Sequence, residues 1–291
     1  MTRKSIRRAR RGFTLIELLV GVVIFAIIGA AFTKLLTVQG KFFDRQGMGN
    51  AARNVSRASL NRVISDFRMI EANGGVVAAS PTSLTIRIPY AIGVMCKNIA
   101  GPPAATVLSL LPVDSTTYFG AQFYGYAWRN FITGAYSYVE AGASLNQNGS
   151  AADCTSVNIT MVPNGRTVNI SPVLPANGGL GTPVFLYSKV RYEFKASTSV
   201  PGKLGLWRTE IAPNGAEETE ELVAPFAATA KWRFYTVNGG ANAQDNPPAA
   251  LGDMRGLELH LDGTSEYIAP GQLSTENAPF TTAVFFKNRT N

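Results

Sequence analysis

The sequence predicts an α+β protein, in which one long N-terminal helix precedes a domain built on an antiparallel β-sheet. The helix is indicated by an apolar run over residues 13–33, by the first proline being Pro81, and by apolar residues at spacings of three and four between residues 48 and 70. The sheet is indicated by a change of the apolar period to two beyond residue 75.

The predicted helix covers residues 13–71, which is a length of about 90 Å at 1.5 Å per residue. Its first part, residues 13–35, is apolar and long enough to cross a membrane, and residues 36–73 are its amphipathic continuation. Three glycines between residues 40 and 49 weaken the helix, and the Asn-Gly-Gly of residues 73–75 ends it.

The predicted β-rich globular domain covers residues 76–291. Residues 84–92 alternate as in a half-buried strand, and Asn164-Gly165 is predicted to turn a hairpin between strands at 157–161 and 168–170. The apolar face of the first of these strands is expected to carry Leu84, Ile86, Ile88, Tyr90 and Ile92. Further strands are predicted at residues 184–194, 203–210, 217–223, 230–237, 256–263 and 281–288.

An aromatic insertion is predicted at about residues 93–154. Nine aromatic residues lie between positions 118 and 138, interleaved with Gly and Ala. Two interpretations are open: an elaborated loop or extra strands with a small core of their own, or an exposed aromatic surface that contacts another subunit or a secreted substrate.

Cys96 and Cys154 are the two cysteines of the chain. Since no CxxC motif and no histidine partner accompanies them, zinc and redox-motif interpretations lack support. A disulfide is expected if this part of the chain lies outside the cytoplasm. The alternative is two unpaired cysteines that pack as small apolar residues.

The formal charge of +8 is concentrated in a short leader. Six of the 27 basic residues precede position 13 with no acidic residue among them, which leaves 21 basic against 19 acidic residues in the remainder. The rest of the chain is therefore nearly neutral, and the charge does not indicate a nucleic-acid partner.

The N-terminus has three interpretations. The basic leader followed by an apolar segment predicts a cytoplasmic N-terminus and a single pass through the bacterial inner membrane, with the domain in the periplasm. The first interpretation is a secretory signal cleaved after Ala31, in which a carboxylate such as Glu17 is unusual. The second is a plain membrane anchor, in which Glu17 lies near the interface.

The third interpretation rests on the sequence GFTLIE at residues 12–17, together with the basic leader and the LLV that follows. It resembles the processing signal of type IV prepilins and pseudopilins. The resemblance implies a leader peptide at residues 1–12, cleavage after Gly12 by a prepilin peptidase/methyltransferase, and N-methylation of Phe13. It also implies that Glu17 pairs with the terminal amine of a neighbouring subunit during assembly; the alternative is an unpaired Glu17 that reaches the lipid headgroups.

A weaker resemblance covers the C-terminal half. The segments VRYEF, LWRTE, EETEELV, KWRFY, GLELHLDG and TTAVFFKN follow one another as in the J-type minor pseudopilin of type II secretion. The helical stretch at residues 60–71 is similar to that of W-type minor pilins. This implies a type IV pilin-like fold and a minor subunit that joins minor and major pilins or pseudopilins, at an inner-membrane assembly platform, to prime or cap a filament. The alternative function is a membrane-anchored binding or adhesion module that does not polymerise.

The sequence does not indicate an enzyme, a cofactor or a metal site. His260, the single histidine, is expected on the polar face of a strand with Glu258 and Asp262. The motifs GxSxG, HExxH and the P-loop do not occur. The acidic residues of positions 217–221 lack the spacing of a dedicated calcium loop, and a solvated strand edge is expected there.

Overall fold

A computed structural model describes residues 13–71, 73–130, 134–175 and 178–286. A long N-terminal apolar helix leads into a globular domain of antiparallel β-sheet, so the predicted α+β class is confirmed. The arrangement is consistent with a type IV pilin-like fold.

The long helix, α1 (Leu15–Arg68), has 54 residues and is continuous through the glycines at positions 40–49. It is shorter at both ends than the predicted range of 13–71. It begins after Thr14 because the backbone of that residue is extended. It ends before Met69, whose N–H bonds the carbonyls of Asp66 and Phe67 in a tightened last turn.

The domain contains fifteen strands and two short helices within the described residues. The strands are β1 (Val76–Ala79), β2 (Ser83–Ile99), β3 (Ala105–Leu110), β4 (Gly125–Arg129), β5 (Tyr136–Val139), β6 (Ser144–Asn146), β7 (Arg166–Ser171), β8 (Pro183–Ala196), β9 (Leu204–Ile211), β10 (Glu217–Phe226), β11 (Lys231–Thr236), β12 (Met254–His260), β13 (Gly263–Thr264), β14 (Asn277–Ala278) and β15 (Thr281–Phe285). The helices are α2 (Ser115–Gly120) and α3 (Ala151–Thr155), and a 3₁₀ turn covers Leu251–Asp253.

Twelve strands form one large sheet with the order β14-β13-β10-β9-β8-β2-β3-β7-β6, to which β1, β4 and β5 are attached. The long strand β8 pairs with β2 along one edge, and with β4 and then β9 along the other. Within residues 93–154, β3 and β4 therefore extend the main sheet. The remaining strands form a smaller sheet, β11-β12-β15.

The main core lies between α1 and the two sheets. The Phe67 ring of α1 is fully buried there, with its centroid 5.3 Å from that of Tyr192 in β8 and 5.6 Å from that of Trp232 in β11. Edge-to-face contacts of this kind favour one arrangement of the rings. Phe67 therefore joins the helix to both sheets at one point.

The predicted alternation along β2 is only partly right. Leu84 and Ile86 are buried in the main core, but a register shift between Pro89 and Ala91 reverses the pattern, so Ala91 is buried and Ile92 is exposed. Proline cannot donate a ladder hydrogen bond and is accommodated at a bulge. The bulge transfers β2 from the main core to the second one, under β3 and β4.

The predicted strand at 157–161 is wrong. This part of the chain follows α3, and Val157 and Ile159 pack against Cys154. Asn164 does adopt a left-handed turn conformation, with φ of +64°. The strand after it, β7, pairs with β3 and β6 in place of a hairpin partner.

Candidate functional site

The first turn of α1 holds the residues that the sequence singles out for processing and assembly. Gly12, the predicted cleavage position, lies outside the described residues. Phe13 is 88% exposed and precedes the helix, and Thr14 is its N-cap. Glu17 is the third residue of the helix, so the predicted new N-terminus and the carboxylate lie at the same end of α1.

Thr14 and Glu17 form a capping box. The Glu17 N–H donates to Thr14 Oγ1 at 3.3 Å, and the Thr14 N–H donates to Glu17 Oε2 at 2.9 Å. The Thr14 hydroxyl also donates to Oε2, at 2.9 Å. Each residue satisfies a backbone donor that the helix start leaves open, and the carboxylate is held toward the N-terminal end of the helix.

The part of α1 that follows this turn is apolar, and its side chains are exposed. Within the described residues, α1 is the one helix that is long and apolar enough to cross a membrane. Its exposed large apolar side chains run from Phe13 to Phe43, and burial begins only in the second half of the helix. Such a surface needs a lipid or protein environment, since an exposed apolar patch of this size is rare in soluble monomers.

The second half of α1 approaches the sheet very closely at Ser56. The Gly263 N–H donates to Ser56 Oγ at 3.0 Å, and this hydroxyl donates to the Ala278 carbonyl at 3.2 Å. A Cβ on Gly263 would clash with the Ala52 carbonyl oxygen. Small side chains on α1 and a glycine on β13 therefore fix the position of the helix on the domain.

The prediction from the sequence missed two features of α1, its buried serines and its capping box. Ser56 and Ser59 are fully buried, although polar residues in an amphipathic helix are expected to face solvent. Their spacing with Ala52 and Val63 continues the apolar recurrence and could have revealed the narrow contact. The capping box could also have been found, because Thr14 and Glu17 match the S/T-x-x-E signature.

Cys96 and Cys154 form a disulfide, with their Cα atoms 4.8 Å apart. Both are buried against Val107, and the bond joins β2 to α3. It therefore closes the part of the sheet that carries the aromatic residues.

Three aromatic side chains of the region 118–138 belong to a core. Tyr118, Tyr126 and Trp128 are buried in a second cluster with residues of β2, β3, β7 and β8. Phe119 is exposed and lies under the guanidinium of Arg166, 4.7 Å from its ring centroid. These contacts favour extra strands with their own core over an exposed aromatic surface.

Glu258 and His260 share the outer face of β12, with His260 Nε2 2.6 Å from Glu258 Oε1. Partial burial raises the pKa of the Glu258 carboxyl, but hydrogen bonds from His260, Tyr235 and Arg233 outweigh burial and hold it below its ordinary value. Asp262 does not join them as predicted. The strand ends at His260. The Asp262 carbonyl accepts the Ala227 N–H, and Asp262 is buried in the domain.

Glu217 and Glu221 of β10 make two different contacts. Glu217 is paired with Arg191 at 2.6 Å, and Glu221 accepts hydrogen bonds from the segment 197–199 on the neighbouring loop. Within the described ranges, no group of three or more His, Cys, Asp or Glu side chains is placed to hold a metal ion.

Residues 7–33 match the family model of the prokaryotic N-terminal methylation motif. No curated protein and no solved structure matches the chain. The matched residues include Gly12, Phe13 and Glu17 and cover the exposed apolar part of α1 as far as Thr33. The match supports a type IV prepilin-like protein anchored in a membrane by its N-terminal helix, with processing by a prepilin peptidase and assembly with other pilins.

Proposed function

We propose that this protein is a minor pilin or pseudopilin, a structural subunit that primes or caps a type II secretion pseudopilus or a type IV pilus. Cleavage between Gly12 and Phe13 removes the leader, and Phe13 is methylated. The mature subunit is held in the inner membrane by a single pass with its domain in the periplasm. It then joins other minor and major subunits at the assembly platform.

The observation that carries the proposal is the position of Glu17 in the first turn of α1, whose apolar side chains are exposed. A carboxylate at the centre of a membrane helix costs about 2.5 to 3.5 kcal/mol on insertion scales, and less toward its end. The capping box directs the carboxylate toward the end of the helix at which cleavage creates an amine. An amine of a neighbouring subunit at that end would offset the cost of the buried charge.

The C-terminal segments that resemble the J-type minor pseudopilin support the choice of a minor subunit. VRYEF lies in β8, LWRTE in β9, EETEELV in β10 and KWRFY in β11. These strands follow one another along the chain, and Phe67 of α1 contacts the first and the last of them, β8 and β11. The alternative of a non-polymerising adhesion module loses its main support, because Tyr118, Tyr126 and Trp128 are core residues.

The test is to separate the charge of Glu17 from its role as a helix cap. Glutamine can occupy the same capping-box position, so Glu17→Gln keeps the cap and removes the charge. Thr14→Ala is the matched variant, because it removes the cap and keeps the charge. Both are expressed with the candidate partner subunits, and their recovery in minor-subunit complexes or filaments is compared at equal membrane levels.

We expect Glu17→Gln to insert and fold but to be lost from complexes, and Thr14→Ala to be recovered in them. Normal recovery of Glu17→Gln would contradict the assembly role of the carboxylate. Loss of Thr14→Ala together with normal recovery of Glu17→Gln would indicate that the cap, and not the charge, is what assembly requires.

A further inference from the structure

The loop between β13 and β14, residues 265–276, runs along α1 toward its membrane-spanning part. Its base lies at Ser56, whose hydroxyl bonds the Ala278 carbonyl. Further along, Glu276 pairs with Arg45 at 2.8 Å. At Gly271 the loop reaches Lys41, since a Cβ at this glycine would lie 3.5 Å from the lysine Nζ. The contacts therefore move down the helix from position 56 to 45 to 41.

The tip of the loop has a defined turn. The Gln272 N–H donates to the Ala269 carbonyl at 3.0 Å, and Gly271 has φ of +83°. Proline at the second position and a left-handed glycine at the third are the signature of a type II turn. At the base, Ser265 bonds Glu276 twice, through its N–H to the carbonyl and from the Glu276 N–H to its own hydroxyl. The tip is therefore preformed.

Large apolar side chains are exposed on both sides of this turn. Tyr267 is 64% exposed, Ile268 is 53% exposed and Leu273 is fully exposed. Leaving a leucine and an isoleucine in water forgoes the free energy that their burial would contribute. Since they sit on a preformed turn, burying them in an apolar environment requires little further ordering of the chain.

The height of the loop matches the surface of a bilayer. If the hydrocarbon core ends near Thr33, Lys41 lies about 12 Å further along the helix axis. The interfacial layer accounts for about 5 to 8 Å of this distance. The exposed Leu35, Leu36 and Val38 extend the apolar segment beyond Thr33, while the stem of Lys34 can lie along it with the ammonium in the headgroups. If the apolar segment inside the hydrocarbon core extends to Val38, Lys41 lies about 4.5 Å beyond it, within the interfacial layer, and the loop tip beside Lys41 is then level with the interface.

The neighbouring charges suit an anionic lipid surface. Lys34 and Lys41 are exposed on α1. Lys41 lies beside the loop, Lys34 is nearer the N-terminus of the helix, and Arg45 is nearer its C-terminus. Glu276 is paired with Arg45, and Glu266 is the exposed acidic residue of the loop itself. Tyrosine is typical of the membrane–water interface, where its ring is buried and its hydroxyl remains hydrated. Both the apolar tip and the two lysines therefore face the same layer.

We propose that Tyr267, Ile268 and Leu273 form a second membrane contact, which inserts into the outer interfacial layer of the same bilayer that α1 crosses. The contact fixes the tilt of the domain on the membrane before the subunit leaves it. The proposal rests on the membrane orientation given under the proposed function, but it does not depend on filament assembly. A neighbouring protein subunit is the competing occupant of these side chains.

The contact can be measured on the full chain, reconstituted alone in vesicles of phosphatidylethanolamine and phosphatidylglycerol. A nitroxide is attached at Leu273→Cys, and the matched control carries it at Glu218→Cys, an exposed position on β10. The native cysteines are joined to each other and are left unreduced. Collision rates with oxygen, which concentrates in lipid, and with a nickel chelate, which stays in water, give the depth of each label.

We expect the ratio of oxygen to nickel collisions to be several-fold higher at position 273 than at 218. Replacing Tyr267 and Ile268 by serine in the Leu273→Cys chain should return the ratio to that of position 218. Equal ratios at 273 and 218 in vesicles would overturn the proposal. A label at 273 that is protected only after partner subunits are added would overturn it too, in favour of the protein occupant.

The outcome is distinguishable from a failure of the proposed function. A chain that inserts and shows the lipid-exposed label while Glu17→Gln assembles normally would retain the membrane contact and lose the assembly role. A chain that is not retained in the vesicle fraction would remove the membrane orientation, and with it both proposals.

Discussion

Thr14 and Glu17 hydrogen-bond reciprocally across the first turn of α1, each accepting the backbone N–H of the other. The carboxylate to which we assign subunit pairing is thus also part of the capping box of its own helix. Because the charge is needed only for pairing, and an acceptor in the right place suffices for capping, the two roles of Glu17 can be separated by substitution.

The first prediction concerns this cap. Thr14→Ala should destabilise the start of α1 by about 0.5 to 2 kcal/mol, since the Glu17 N–H loses its acceptor. Amide hydrogen exchange of residues 15–18 in lipid should become faster in this variant, while Glu17→Gln should exchange like the wild type. If Glu17→Gln exchanged as fast as Thr14→Ala, the negative charge would be part of the cap.

A second prediction concerns the close approach of α1 to the sheet. Gly263→Ala should lower the free energy of unfolding by about 1 to 3 kcal/mol, because the added methyl group meets the Ala52 carbonyl. Gly252→Ala is the control, since no atom lies within 4 Å of a Cβ at that position. Urea unfolding in detergent, followed by tryptophan fluorescence, measures both. Equal stability of the two variants would mean that α1 does not approach β13 closely enough for a methyl group at position 263 to clash with it.

The third prediction concerns the disulfide. Cys96 and Cys154 are separated by 58 positions, and cross-linking a loop of this size stabilises a fold by about 2 to 4 kcal/mol. Replacing both by serine should lower the unfolding midpoint. The same loss should appear when the wild type is reduced, and reduction should not affect the double variant. A wild type that is insensitive to reduction would contradict this contribution.

The fourth prediction is a pH dependence at Glu221. Partial burial raises the pKa of this carboxyl, but hydrogen bonds from Ser197, Thr198 and Ser199 together lower it below the ordinary value. Since the folded protein then binds the proton less readily than the unfolded chain, the stabilisation is fully present above the ordinary carboxyl pKa. It is lost as the pH falls through the lowered folded value.

Glu221→Gln should therefore be less stable than the wild type at pH 7, and the difference should shrink as the pH falls below about 4.5. Unfolding curves of both proteins over this range provide the measurement. Glu218→Gln serves as the exposed control on the same strand. A stability difference that stayed constant down to acid pH would show that the ionised form has no special stabilisation.

The sequence predicts the helices and strands of this fold better than it predicts the contacts between them. Residues 184–194 and the later predicted runs form strands because apolar and polar residues alternate along them, and a strand puts the apolar ones on one buried face. The bulge at Pro89 and the helix α3 are decided by pairing with β8 and by the Cys96 bond, which are long-range contacts. A local pattern carries no information on either.

The functional residues divide in the same way. Gly12, Phe13 and Glu17 lie within six consecutive positions and belong to a short motif that is recognisable in the sequence. The membrane-facing position of Leu273 depends on β13, β14 and α1 meeting at Ser56, more than 200 residues earlier in the chain. Only the folded arrangement brings that loop level with the membrane segment.

The central claim is that the working protein begins at Phe13 and uses the amine created there. Mass spectrometry of the protein isolated from membranes tests it most directly. We expect an N-terminal peptide that begins at Phe13 and carries one added methyl group, with residues 1–12 missing. A chain that begins at Phe32, or one that retains the leader, would contradict the account.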